Sequence, residues 1–563
     1  MTGSDIHFEV FVKKHRKASW SMVEALSSRE AALKLAQKLK DSLPDGSVRV
    51  VREVWNAQEG AFRGGPIFEA GPERFANDKN AEADASLPCV TPSDFFGAAA
   101  RDTIRRVLSG WLERRQICPL ELLSRPDLIE DLDGSETDLQ HAVQKVAIAR
   151  AQSTGAPVQA FMKQLNALIE RAATEARREA ASAKALPEAR TFAELTEKIL
   201  DEGGPERRMR RAIAERLADA PDLKTKTARI LDMLDSLPAK PEARSFALAQ
   251  ADAFLAEFLT FDPAMNAITG HGDDTGVILE RLTSLYEGRA DHADLAGAPP
   301  AAHRMAARFA AGDLPDSRGE IASRILAHLR SPKRLRPRSV MAEVELSRQL
   351  AQRLIRVSGP DLHPTALVEA FTARSGRLLS PEAVSEALAG ADGVPALLER
   401  LFAMEDNIVG EANKKKLAGY MRARLTTTET QAWFVRGPGQ PLERLSCLTR
   451  LQARALKGAF PAADKAELAD AFDALGLQTL DETKILARIE ALNQAALDRA
   501  IALLKLASSG VLPVGRCRQD AQARAMRLLA SQMGRQESAQ PDAGDKLSAI
   551  KSLLPPHQPG AVA

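Results

Sequence analysis

Aromatic residues are scarce in this chain, at 4% of 563 positions, with two Tyr and four Trp. Large mixed sheets are built from aromatic and β-branched side chains, so a mainly β protein is not expected. Cys89, Cys118, Cys447 and Cys517 stand apart, with no C-x-x-C pair among them. Disulfide scaffolds and zinc ribbons need closely spaced pairs, which leaves reduced, mostly buried thiols in a cytosolic protein as the expectation. A run of about 18 apolar residues is also missing, so no membrane-spanning helix is expected. Residues 1–14 show no apolar signal core, and secretion is not expected. The formal charge is only +2, from 77 basic and 75 acidic residues. Such a balance gives no global field for nucleic acid or an anionic membrane, and any such binding must come from a local patch.

Motifs of chemistry are missing too. There is no G-x-S-x-G, Walker A, kinase set, H-E-x-x-H or EF-hand pattern. Gly437-x-Gly439 is followed by no Gly-Lys-Ser/Thr and reads as a loop. An enzyme is therefore not expected, and neither a cofactor nor a metal is expected.

What the chain has in abundance is Ala, Leu, Arg and Glu, all strong helix formers. The Ala and Arg enrichment is partly what a GC-rich genome writes, and a bacterial source fits it. The texture changes once, near residue 70. Before it, Ile6, Phe8, Val10 and Val12 alternate with His7, Glu9, Phe11 and Lys13, the period of a strand. A second strand is expected over 19–24, with Trp20 and Met22 on one face. Ser27 and Glu30 fit a capping box that opens a helix with the stripe Ala31, Ala32, Leu35, Leu39 and Leu43. Pro44-Asp45-Gly46 turns the chain. Val48 to Trp55 alternate as a third strand, and 62–68 form a fourth that Pro66 confines to a sheet edge.

The expected fold class is mainly α, with a small N-terminal ββαββ α/β module followed by a long multi-helix body, either bundles or an irregular α-solenoid. The module covers 1–70 and a polar linker covers 71–92. Thr91-Pro92-Ser93-Asp94 then opens a helix whose buried stripe includes Phe96, Ile104, Val107, Leu108 and Trp111, and which Pro119 ends. Breaks at Leu186-Pro187, Ala298-Pro299-Pro300 and Gly437-Pro438-Gly439 mark sub-domain edges. Helical domains are expected over 93–298, 299–437 and 438–535, with a disordered tail over 536–563. No tetratricopeptide, ankyrin or leucine-rich pattern recurs.

Three places carry interaction candidates. The sheet's open face offers Phe11, Trp20, Trp55 and Phe62, rings that stack on RNA bases, pack a peptide or fill the module's own core. The loop 331–339 gathers Lys333, Arg334, Arg336 and Arg338 between two prolines and suits phosphate or an acidic partner. In the tail, Asp545 caps a short helix with Leu547, Ile550, Leu553 and Leu554 on one face, which docks into a partner or folds back on the body. Two further basic clusters, at Arg207–Arg211 and Lys414–Lys416, read as solvated helix faces. His271-Gly272-Asp273-Asp274 and Asp291-His292-x-Asp294 read as polar loops with Asp caps rather than as metal ligands. The expected function is a non-enzymatic cytoplasmic adaptor or scaffold acting on other proteins, with no membrane partner. A nucleic-acid-associated protein using the basic loop and the sheet face, and an enzyme with an unrecognised site, are the alternatives.

Overall fold

The computed structural model describes residues 6–13, 21–43, 47–56, 61–70, 89–135, 137–154, 157–182, 186–201, 205–541 and 543–554. Among them stand one four-stranded antiparallel sheet and 28 α-helices, the fold class the sequence predicts. The chain groups into two compact units, Met1–Glu188 with Glu202–Asp219, and Ala189–Asp201 with Ala220–Ala563. Most of the expected linker, residues 71–88, lies outside the described residues.

The head contains β1 (Ile6–Lys13), β2 (Ser21–Leu26), α1 (Arg29–Ser42), β3 (Ser47–Asn56) and β4 (Ala61–Ala70). Their spatial order is β2-β1-β3-β4, all antiparallel neighbours, so β2 and β3 run parallel on either side of β1. Alternation decides the faces. Phe8, Val10, Val12, Val48 and Val50 bury one face against Ala32 and Ala36 of α1. The two alanines let the helix approach closely, and each fully buried valine contributes about 1.5–3 kcal/mol. Pro66 sits in β4 at an edge, as a residue without an N–H must. The capping residue differs from expectation by one position. Ser28, not Ser27, is the N-cap, its Oγ accepting from the Ala31 N–H at 3.4 Å. With Ser28 at the cap the third helical residue is Ala31, so no reciprocal glutamate bond forms.

Beyond a 3₁₀ turn (Pro92–Phe96) come α2 (Ala98–Val107), α3 (Ser109–Arg115), α4 (Pro119–Ser124), α5 (Pro126–Asp133), α6 (Thr137–Thr154) and α7 (Val158–Ser182). α8 (Phe192–Leu200) belongs to the second unit, while α9 (Pro205–Leu217) packs on α4 in the first. The second unit continues through α10 (Leu223–Asp235), α11 (Pro241–Leu259), α12 (Asp262–Thr269), α13 (Thr275–Tyr286), α14 (Pro300–Ala311) and α15 (Pro315–Arg330). Next are α16 (Val340–Arg356), α17 (Pro364–Leu378), α18 (Pro381–Leu388), α19 (Gly393–Asn407), α20 (Glu411–Leu425) and α21 (Thr428–Arg436). The last are α22 (Pro441–Lys457), α23 (Ala462–Thr483), α24 (Ile485–Glu490), α25 (Ala496–Ser508), α26 (Arg516–Ala530), α27 (Gln532–Ser538) and α28 (Gly544–Leu553).

Proline marks helix starts here. Its fixed φ suits the first turn, where the missing N–H would have no partner anyway. Pro119, expected to end a helix, instead begins α4. Pro300 and Pro441 begin α14 and α22 inside the second unit, where α13 packs on α14 and α21 on α23. The segments at 298–300 and 437–439 are thus loops within one unit. Helices of that unit take their main partners from within four places along the chain, as α11 with α15 and α23 with α26. Neighbour-only packing of this kind is how stacked helices build a continuous core.

Arginine has a structural use in this unit. The last carbonyls of a helix lack intrahelical donors and carry partial negative charge, and a guanidinium offers them five N–H groups. Arg324 of α15 donates to Thr260 O at 3.2 Å, at the end of α11. Arg374 of α17 donates to His328 O and Leu329 O at 2.7 and 3.0 Å, at the end of α15. Arg444 of α22 donates to Phe434 O and Gly437 O at 2.9 and 2.7 Å, at the end of α21. Each guanidinium therefore locks one helix to the terminus of another.

Candidate functional site

The basic loop is the first candidate, and its arginines turn inward. Arg334 Nε donates to Glu343 at 2.6 Å and its Nη1 to Glu386 at 3.0 Å. Arg336 bonds Asp274 at 2.5 Å and Glu280 at 2.6 Å, tying the loop to α13. Burial works against the charge on Arg334, but its bonds to Glu386 and Glu343 outweigh this and raise its pKa above the ordinary arginine value. A hollow of about 250 Å³ beside the loop is lined by Arg334, Arg374 and Arg377 facing Glu343, Glu382 and Glu386. Cations and carboxylates balance across it, which gives no net field for a phosphate. Lys333 and Arg338 are exposed. The expectation of four presented cations is corrected to two, because neighbouring helices supply carboxylates that a linear reading of 331–339 does not contain.

The tail stripe also turns inward. Ile550 is buried, and Leu547, Leu553 and Leu554 pack on the cluster built around α25 and α26. Lys546 Nζ bonds Asp498 of α25 at 2.8 Å. Residues 536–541 and 543–554 are thus an ordered part of the second unit rather than a disordered tail, because the stripe finds an apolar partner on its own chain. Residues 555–563 lie outside the described residues.

In the head, Trp20 lies outside the described residues, and Trp55 stands in β3 with Phe62 as its register partner in β4. The face away from α1 carries Phe11 and Val51, both half-buried. Met22 pairs with Phe11 in the register and is 58% exposed, and Val23 beside it is 45% exposed. The register slips at this point, between Val10 and Phe11, so Val23 is the extra residue of a bulge. β2 is an edge strand with no proline and no lysine, and its main neighbours are β1 and α1. Exposed Met22 and Val23 give that edge apolar side chains, while Glu24 and the bulge are the features that blunt it.

The remaining polar clusters resolve into fold contacts. Asp274 caps α13, accepting from the Val277 N–H at 3.0 Å. His292 Nδ1 accepts from the Asp294 N–H at 3.3 Å. Among the described residues no group of three His, Cys, Asp or Glu converges as metal ligands. The structure does bring Ser284, His292 and Asp294 together, a grouping no linear pattern announces. Ser284 Oγ lies 3.1 Å from His292 Nδ1 and donates to Asp294 at 2.8 Å. A catalytic triad needs serine and carboxylate on opposite ring nitrogens, whereas Asp294 lies 3.2 Å from the same Nδ1. Ser284 is fully buried, and Arg353 of α16 donates to it at 2.7 Å and to Asp294 at 2.6 Å. The cluster is a staple between α13 and α16. Arg210 lies over the Phe96 ring at 5.4 Å, and Arg211 pairs with Glu215 at 2.7 Å. Lys414 pairs with buried Glu405 at 2.8 Å, leaving Lys415 and Lys416 exposed.

One feature of the first unit escapes sequence reading. α2, α4, α5, α6 and α7 surround an apolar cavity of about 130 Å³ that opens toward solvent. Ile104, Val107 and Leu108, which the sequence assigns to a buried stripe, line it. No single segment shows the cavity, since five helices contribute to its wall. No helix among the described residues is long and apolar enough to cross a membrane. Comparison with protein-family models, with curated proteins and with solved structures gives no match.

Proposed function

We propose that the protein is a non-enzymatic cytoplasmic adaptor or scaffold, working through contact with other proteins. The observation that carries this reading is the β2 edge, with Met22 and Val23 exposed on an edge strand that holds neither proline nor lysine. An extended segment of a partner adds beside β2 through main-chain hydrogen bonds, and its alternate side chains meet Met22 and Phe11. The second unit serves as a stiff rack, its helix ends locked by arginines. The nucleic-acid reading has less support, because Arg334 and Arg336 are engaged by carboxylates and Phe11 stands beside Glu9 and Arg49 rather than on a basic face.

Affinity capture by the tagged full chain is compared with capture by the double variant Met22→Lys/Val23→Lys. The expected result is a partner retained by the wild type and reduced at least tenfold by the variant. A partner set unchanged by the variant contradicts the reading. A salt-sensitive shift of random DNA or RNA, absent from the K333A/R338A variant, would favour the nucleic-acid alternative instead.

A further inference from the structure

The cavity in the first unit is independent of the β2 edge and points to a ligand of its own. Its wall includes Leu132 of α5, Val143 of α6, and Leu165, Ile169 and Ala173 of α7. Thr103 brings the single hydroxyl among the lining side chains, and that hydroxyl already accepts from Arg106 Nη2 at 3.0 Å. A water molecule needs two to four polar partners to stay in such a place, and among these side chains it finds only the remaining capacity of the one Thr103 hydroxyl. Polar ligands meet the same lack. The occupant must therefore be hydrocarbon where it enters.

Size narrows the class further. Apolar cavities of roughly 150 Å³ take up benzene, and this one measures about 130 Å³. One aromatic ring or a short alkyl chain fits that space. A docking helix does not, because it anchors through several side chains one turn apart along a longer groove. Surface ion pairs link helices around the cavity. Arg177 of α7 bonds Glu130 of α5 at 3.1 Å, and Arg114 of α3 bonds Asp138 of α6 at 2.7 Å. Small side chains at Ala142 and Ala173 then leave room that a larger residue would fill. Ile129 and Ile169 line the cavity while remaining partly open to solvent, which gives an entry path.

We propose that this cavity is a binding site for the aryl or short alkyl portion of a small apolar molecule. Benzene is the probe, titrated into the full chain and read by ligand-observed NMR. The wild type is expected to bind it saturably at one site. Ala142→Leu is expected to weaken binding at least tenfold, with helicity by circular dichroism unchanged. Ala173→Leu fills the same space from another helix and serves where the first variant does not fold. Linear, non-saturating uptake by the wild type, or undiminished affinity in a folded filled variant, overturns the proposal.

Discussion

Glu343 Oε1 accepts a hydrogen bond from Arg374 Nη1 at 3.0 Å, and both side chains are almost wholly buried. Glu343 is also the acceptor for Arg334, while Arg374 reaches four carbonyls between His328 and Lys333. This pair fixes the 331–339 loop onto α15, α16 and α17, and it converts the most basic stretch of the sequence into a structural clamp.

Removing one partner of such a pair leaves a buried charge without compensation. Glu343→Ala is expected to destabilise the second unit by about 3–5 kcal/mol. Glu343→Gln keeps an acceptor and should cost less. Urea unfolding followed by circular dichroism checks both, and an alanine variant as stable as the wild type would show that the pair is not structural.

Asp252 of α11 accepts from the Asp316 and Ser317 N–H groups at 2.7 and 2.9 Å, capping α15 from a different helix. Burial pushes its pKa up to about 6, although the hydrogen bonds from Ser317 and Asp316 pull the other way. The native state thus holds this proton more tightly than the unfolded chain, whose value is near 3.8. Stability from this group is greatest below pH 4 and falls as the pH rises from about 4 to about 6, by on the order of 3 kcal/mol. Asp252→Asn should abolish that segment of the pH dependence, measured by denaturation at pH 4, 5, 6 and 7. An unchanged slope in the variant would assign the dependence elsewhere.

Arg444 holds the turn at Gly437-Pro438-Gly439 through carbonyls of Phe434, Val435, Gly437 and Gly439. Arg444→Met keeps much of the apolar stem and loses all four bonds. The expected cost is about 2–4 kcal/mol, with hydrogen exchange accelerated first at the end of α21. Exchange unaltered over 430–440 would contradict the capping role.

Ile550 packs into the cluster around α25, so Ile550→Ala is expected to lower stability by about 2–4 kcal/mol without altering partner capture. Lost capture with an unchanged melt would return the stripe to the role of a docking motif.

Local patterns made much of this fold legible. Alternation at Ile6 to Val12 and at Val48 to Val54 gives β1 and β3, and Pro66 marks the edge strand. Helix identity followed from composition, but several boundaries did not. Gly97 is extended and separates the 3₁₀ turn from α2, and Lys484 adopts a left-handed conformation that divides α23 from α24. Partners remote in sequence were illegible. Arg334 and Glu386 are 52 residues apart, and Arg336 and Asp274 are 62 apart, so nothing near the loop discloses that its charges are neutralised. The tail stripe was visible as a stripe, but its partner on α25 was not. The cavity was hidden for the same reason, since each of its five helices shows only an ordinary apolar face.

Hydrogen–deuterium exchange of the full chain, with and without a partner retained by affinity capture, tests the adaptor account most directly. Strand addition predicts slowed exchange over 21–26 in the complex, with the 331–339 loop and α28 unchanged. Protection confined to the loop or α28, with β2 exchanging as in the free protein, would contradict it.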